Sequence, residues 1–224
     1  ILLSGERAAF FMCILFLLFV VPFLISPKLI ILLFVSTSLI FLILSFNKTI
    51  YDRYVVQTKD HLFLVANERP LILPNHIGLF NSAIFIFDQN KLIGSGIKSF
   101  RKLCDQNNTN FKKEITKKKI NISFCSTHPH NYYLQLLSEL GFIGIFFLLS
   151  LFFYLFLSYI RQLILLILGK KVLNTNLKKY LILLSGTIIQ IWPLTTTGNL
   201  FNNWNSSFIF FQLSIFLYYK YEQY

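Results

Sequence analysis

The sequence carries little charge for its length, and very little of that charge is acidic. Only 13% of its 224 residues are charged, 9 of them acidic, whereas 55% are hydrophobic. Soluble domains have about 25% charged residues and about 45–50% apolar ones. This composition excludes an ordinary soluble domain and predicts a protein that lies in a lipid bilayer.

Cysteine is also scarce, and three cysteines are too few for a disulfide scaffold. A net charge of +12 could indicate nucleic-acid binding. The basic residues, however, lie in loops between apolar segments, which favours the membrane surface and anionic lipid-linked substrates as partners. No signal peptide is expected, and the chain, which begins at Ile1, is expected to be the C-terminal part of a longer protein.

Uncharged stretches approach the roughly 20 residues that a helix needs to cross a bilayer at 8–25, 29–46 and 141–160. Shorter stretches at 180–194 and 206–219 reach that length only with flanking residues. Pro22 and Pro27 are expected to break the first pair into a tight helical hairpin. We therefore expect an all-α, polytopic membrane helical bundle of about five spans. Its segments would be two helices in 1–46, a large loop in 47–130 and about three helices in 131–224.

Short basic loops predict the orientation, because Lys and Arg collect on the cytoplasmic side of a membrane. Such residues lie between the third and fourth predicted spans and after the last, at Arg161, Lys170, Lys171, Lys178, Lys179 and Lys220. That side is therefore expected to be cytoplasmic, which places Arg7 and the loop 47–130 outside. In a bacterium the outside is the oxidising periplasm, where Cys104 and Cys125 could form a disulfide, although two unpaired thiols also fit.

Two patterns in the large loop predict local structure. Apolar residues from Leu79 to Phe87 recur at helical spacing and end at Asp88, so a short helix against the membrane face is expected. Gly94 and Gly96 predict a turn that allows another backbone to approach closely. A lone Gly-x-Gly is weak evidence for ligand binding.

The loop ends in the run Ser-Thr-His128-Pro-His130-Asn, which leads into the third span. Thr127 or His128 is predicted to cap this helix, with Pro129 in its first turn, so His130 would lie at a helix N-terminus that attracts phosphate. An imidazole with an ordinary pKa of about 6.5 suits removal of a proton from a sugar hydroxyl.

Two other interpretations of these histidines stay open on spacing alone. Both rings could simply cap the helix. They could also bind a metal, although no acidic residue or cysteine follows within a turn to complete the site. Helical spacing would put Glu139 on a different face from His130, so no catalytic pair between them is expected.

Arg7 is predicted to lie at the outer end of the first span. A guanidinium binds phosphate through two parallel hydrogen bonds, but an ion pair with Glu6 or contact with lipid headgroups would explain this residue equally well. The predicted topology places Arg7, the loop cations and His130 on one side of the membrane. An enzyme that acts on a lipid diphosphate needs such an arrangement.

At these residues the sequence resembles the O-antigen ligase and polymerase family. The resemblance rests on His130-Asn131 followed after nine residues by Gly141-Phe142-Ile143-Gly144, on Ser-Gly-Glu-Arg-Ala-Ala at a span entrance, and on the loop run from Asp88 to Cys104. It covers most of the chain between Ser4 and Ile160.

The resemblance implies a metal-independent glycosyltransferase of the C-type membrane class, with no cofactor. Such an enzyme acts on undecaprenyl-diphosphate-linked glycan at the periplasmic face of the bacterial inner membrane. By this likeness His130 and Arg7 would be catalytic. Substrate-binding roles are expected for Arg101, His76, Asn131 and His128.

The acceptor is left open. A ligase uses lipid A-core, a polymerase another repeat unit, and a protein O-oligosaccharyltransferase a Ser or Thr side chain. Ile145 stands where the ligase form often has a small polar residue, which leaves the choice unsettled. A polysaccharide transporter or flippase is the alternative from another class. The predicted spans disfavour it, because they carry almost no ionisable residues.

Overall fold

The computed structural model describes residues 7–24, 27–57, 74–115, 125–194 and 196–221. All regular structure in these ranges is helical, which confirms the expected all-α class for the described residues. The helices are α1 (Arg7–Leu24), α2 (Pro27–Phe46), α3 (Lys48–Tyr51), α4 (Pro74–Gln89), α5 (Phe100–Ile115), α6 (Tyr132–Ile167), α7 (Thr175–Gln190) and α8 (Asn203–Tyr221). A π-helical turn, Asp52–Val56, follows α3.

Among the described residues, α6 is the one helix long and apolar enough to cross a membrane, with a mean hydropathy of 2.5 over its most apolar window. A shorter apolar helix covers Arg7–Phe23. The count of five spans therefore stays a prediction. Pro22 lies inside α1 and does not break it, whereas Pro27 opens α2, where a missing N–H costs no helical hydrogen bond.

The chain divides into two compact units, the first within 1–71, 159–189 and 215–224 and the second within 72–158 and 190–214. Aromatic contacts hold the first unit. The Tyr159 hydroxyl donates to the Phe19 carbonyl oxygen at 2.9 Å, and Tyr180 stacks on Phe216 with ring centroids 5.4 Å apart.

The second unit has a small core between α4 and α5, built from the fully buried Ala83, Ile86, Phe100 and Cys104. A disulfide joins Cys104 to Cys125, 21 residues later. Closing a loop of this length is worth about 3 kcal/mol on the chain-entropy account. The disulfide fastens α5 to the chain just before the histidine run.

The helix expected between Leu79 and Phe87 is present as α4, which begins earlier, at Pro74, and ends at Gln89. Its buried face, which includes Ile86, packs against α5. The polar residues from Asp88 onward end the helix as the sequence predicted.

Candidate functional site

Helix α6 is broken at Gly141, whose backbone angles are φ 63° and ψ −153°. A positive φ of this size favours glycine, because a Cβ would be strained there. The break divides α6 into a first arm, residues 132–140, and a second arm, residues 142–167. Each arm therefore has an end whose backbone groups lack a helical partner.

The turn between α4 and α5 bonds to the free carbonyls of the first arm. The N–H of Ser95 donates to the Ser138 oxygen at 3.1 Å, and the N–H of Gly96 donates to the Glu139 oxygen at 2.9 Å. These two bonds satisfy carbonyl groups that a further helical turn would otherwise have satisfied.

The same turn accepts hydrogen bonds from the start of the second arm. The Phe142 N–H donates to the Lys91 oxygen at 2.8 Å, and the Ile143 N–H donates to the Leu92 oxygen at 3.4 Å. The turn thus joins the two arms through their backbones.

The glycines of this region permit the close approach. A Cβ on Gly94 would lie 2.4 Å from the Glu139 carbonyl carbon, and one on Gly141 would lie 2.5 Å from the Lys91 oxygen. Gly96, also at positive φ, has nothing within 4 Å of such a Cβ. The Gly-x-Gly turn therefore makes the expected close approach through Gly94, which lies against the α6 backbone. This contact has a structural role.

Glu139 is fully buried in the first arm, and its carboxylate caps α5. Its Oε1 accepts from the Phe100 N–H at 3.2 Å, and it also bonds to the Lys98 backbone. A carboxylate at a helix N-terminus satisfies free N–H groups and the helix dipole. Glu139 thus ties α5 to α6.

Asn131 caps α6, and the predicted cap at Thr127 or His128 is wrong. The Oδ1 of Asn131 accepts hydrogen bonds from the N–H groups of Tyr133 at 3.0 Å and Leu134 at 3.1 Å. Its Nδ2 donates to the Pro193 oxygen at 2.9 Å. The helix starts later than expected because His130 takes a non-helical conformation, which leaves Pro129 outside the first turn as well.

His130 has a φ of 56°, in the left-handed region that few residues other than glycine occupy. Its carbonyl oxygen accepts a hydrogen bond from the Thr197 N–H at 2.8 Å. Backbone strain of about 1–3 kcal/mol persists only where the surroundings enforce it, and it concentrates at functional sites. Because of this non-helical conformation His130 lies before α6 and not on one of its faces.

Three histidine rings meet at this position. The centroids of His128 and His130 are 4.2 Å apart, and those of His76 and His130 are 5.7 Å apart with the rings nearly perpendicular. His128 uses both nitrogens, Nδ1 with the Thr127 hydroxyl at 2.8 Å and Nε2 with the Thr197 carbonyl at 3.3 Å. The structure thus brings His76, from α4, to the histidine run.

Burial lowers the pKa of each of the three imidazoles below its ordinary value of 6.5. The neighbouring His130 lowers the pKa of His76 and of His128 further, while a hydrogen bond with the Thr197 backbone raises those of His128 and His130. The rings are therefore neutral near pH 7, and a neutral imidazole can accept a proton. In the described ranges no group of three or more His, Cys, Asp or Glu side chains is arranged to hold a metal ion.

The two arginines expected in the site lie on different helices. Arg7 is the first residue of α1 and is half-buried in the first unit. Arg101 is the second residue of α5 and is exposed. Glu6, the alternative partner of Arg7, lies outside the described residues.

Sequence reasoning missed the connection between α7 and α8. Gln135 in the first arm donates from Nε2 to the Asn199 Oδ1 at 2.8 Å, and its Oε1 accepts from the Leu200 N–H at 2.9 Å. The Tyr133 hydroxyl donates to the Ile191 oxygen at 2.8 Å. The signal was the Thr- and Asn-rich run between the last two apolar stretches, which is polar enough to bond to a buried site.

Comparison with known proteins gives one family. No curated protein and no solved structure matches the chain. The model of the O-antigen ligase family matches residues 1–149, about two thirds of the sequence. The matched range includes Arg7, His76, Arg101, His130 and the break at Gly141. This family is a class of glycosyltransferase-like membrane enzymes. The chain therefore belongs to the O-antigen ligase family, as its sequence motifs indicated.

Proposed function

We propose that this protein transfers an O-antigen-type glycan from undecaprenyl diphosphate to an acceptor hydroxyl, at the periplasmic face of the bacterial inner membrane. The observation that carries the proposal is His130, a half-buried imidazole held in a strained conformation inside the matched region, with a pKa that burial lowers. A base with a pKa somewhat below the working pH is deprotonated and ready to act.

The proposed reaction is a single displacement. A neutral nitrogen of His130 takes the proton of the acceptor hydroxyl while the oxygen forms a bond to the anomeric carbon of the donor glycan. The bond from that carbon to the diphosphate oxygen breaks, and the lipid diphosphate leaves with the electron pair. One displacement inverts the anomeric configuration.

Arg7 and Arg101 are proposed to bind the diphosphate. The support is chemical, because guanidinium groups pair with phosphate oxygens through two hydrogen bonds and stay charged at every relevant pH. Charge supplied by arginines would make a metal ion unnecessary for the leaving group. His128 and Asn131 take positioning roles in this proposal, since both already bond to the chain around His130.

The membrane arrangement belongs to the same proposal. Each of the five apolar stretches coincides largely with a described helix or arm, namely α1, α2, the second arm of α6, α7 and α8. The basic residues between α6 and α7 support a cytoplasmic location for that connection. The rings of His76, His128 and His130 would then face the periplasm, together with α4, α5 and the disulfide.

Replacing His130 by Asn tests the role of the imidazole. Asn tolerates a left-handed backbone, so the variant keeps the local conformation and loses the base. We expect transfer by the purified, reconstituted protein to fall about 100-fold or more with an unchanged unfolding temperature. Asn203→Ala, an exposed change at the start of α8, is the control. Undiminished turnover in His130→Asn contradicts the proposal.

The acceptor is identified in a deletion strain by gel profiles of the surface glycan. Loss of all polymer attached to lipid A-core indicates a ligase, whereas a single attached repeat unit indicates a polymerase. An unchanged glycan with loss of a glycoprotein indicates a protein O-oligosaccharyltransferase.

A further inference from the structure

Two buried polar atoms beside His130 have no hydrogen-bond partner among the residues that the structure describes. They are the hydroxyl oxygen of Thr197 and Nδ1 of His76. A buried polar group left without a partner costs about 1–3 kcal/mol. Folded proteins keep few such groups, and those that they keep call for an explanation.

Two backbone hydrogen bonds hold Thr197 at this position. Its N–H donates to the His130 carbonyl, and its own carbonyl bonds to Nε2 of His128. The hydroxyl takes no part in either bond. The Thr197 backbone thus contacts both histidines, and its hydroxyl is left buried without a partner.

His76 reaches the same place from α4. Its ring lies 5.7 Å from the His130 ring, and α4 is anchored by the core that contains the disulfide-bonded Cys104. A neutral imidazole nitrogen can accept a hydrogen bond from a hydroxyl or donate one to it, depending on the tautomer. His76 therefore brings a second buried, unpaired polar atom, its Nδ1, on a ring that neighbours His130.

We propose that the Thr197 hydroxyl and His76 Nδ1 bind hydroxyl groups of the acceptor next to the one that His130 deprotonates. The inference rests on the proposed function and names its acceptor subsite. A polyhydroxylated sugar offers several hydroxyls close together, each able to donate and to accept. A ligand without them would leave both buried atoms unpaired, which is the strongest basis for rejecting an analogue.

Thr197 belongs to a part of the chain that the family model does not match. The match covers residues 1–149. Part of the acceptor site would therefore come from a segment outside the shared family region. Members that differ in this segment would differ in acceptor while keeping the same base.

Thr197→Val tests the hydroxyl, because valine keeps the branched shape and removes only the polar atom. We expect an acceptor KM raised about tenfold, as the loss of one hydrogen bond predicts, with kcat little changed. We also expect an equal or higher unfolding temperature without substrate, since an unpaired buried hydroxyl is removed. Thr197→Ser should restore the KM.

The assay uses a donor glycan on undecaprenyl diphosphate and whichever acceptor the wild-type protein uses, purified lipid A-core or a lipid-linked repeat unit. His76→Phe, which keeps a ring against His130, should raise the acceptor KM in the same way. Thr49→Val, the same change at an exposed threonine of α3, is the control and should alter nothing.

The outcomes separate the two proposals. A lower unfolding temperature in Thr197→Val would show that the hydroxyl has a structural partner and overturn the subsite. So would an unchanged acceptor KM in a preparation in which His130→Asn is inactive. Full turnover by His130→Asn would instead remove the proposed function itself.

Discussion

The two arms of α6 are one continuous stretch of chain in two different environments. The first arm buries polar side chains, among them Gln135, Ser138 and Glu139, and each has a hydrogen-bond partner. The second arm exposes large apolar side chains, including Phe142, Ile143, Phe146, Phe147, Phe153 and Leu157. A buried polar segment and an exposed apolar segment are therefore built from the same helix.

The division depends on how backbone groups are satisfied. In lipid no water is present to bond to a free N–H or C=O, so a break in a spanning helix is tolerated only where protein covers it. The turn at 91–96 provides that cover from both sides of Gly141. The Gly-x-Gly turn and the broken helix therefore form one structural unit.

The largest expected effect comes from adding a side chain where the turn at 91–96 meets Gly141. In Gly141→Ala the new Cβ would lie 2.5 Å from the Lys91 oxygen at a φ of 63°. We expect a loss of several kcal/mol of stability, from backbone strain and from the hydrogen bonds that separate. Thermal unfolding in detergent, read by circular dichroism, measures the loss.

Gly96→Ala is the matched control. Its φ is also positive, at 101°, but the added Cβ would meet nothing within 4 Å. It should lose only the strain, about 1 kcal/mol. Equal losses in the two variants would show that the junction is not packed as described.

A charge in the second arm should be the next largest effect. Phe153 lies about half exposed near the middle of this arm. If lipid surrounds it, Phe153→Arg should cost about 3 kcal/mol in membrane insertion of the α6 segment. A translocon insertion assay measures this cost, with Phe153→Leu as the control. Insertion as efficient as wild type would place that face against protein or water.

The smallest expected effect is a dependence of stability on pH that belongs to the histidines before the first arm. The folded state lowers the pKa of His76, His128 and His130 below 6.5, so the unfolded state binds more protons as the pH falls. Stability should be full above about pH 6.5 and decline from there toward the lowered native pKa values. Unfolding temperatures between about pH 7.5 and 5.5 test this.

His76→Phe removes one of the three titrating groups and should flatten the decline. A stability that rises on acidification would mean that the cluster gains protons on folding, contrary to its burial.

Sequence alone predicted the long apolar helices, because uncharged apolar stretches of about twenty residues favour a helix. It also singled out His130 as the candidate base, through its spacing to Gly141 and Gly144, and that role stays a prediction. Sequence placed the helix cap wrongly, at Thr127 or His128. Capping propensity does not reveal that His130 adopts a left-handed backbone conformation. In this conformation the His130 carbonyl accepts a hydrogen bond from Thr197, 67 residues further along the chain.

The rest of the site was not predictable for the same reason. The contacts of Gln135 with Asn199 and of Gly94 with the α6 backbone join segments that local patterns treat separately. Glu139 was expected to lie apart from His130, but nothing in the sequence showed that its carboxylate would cap α5.

The junction at Gly141 also sets an order of assembly. The N–H groups of Phe142 and Ile143 find their acceptors at Lys91 and Leu92, about fifty residues earlier in the chain. Until that turn docks, the start of the second arm carries unpaired groups that hydrocarbon cannot solvate. If α6 crosses the membrane as proposed, its insertion should therefore be completed only after the turn between α4 and α5 has docked against it.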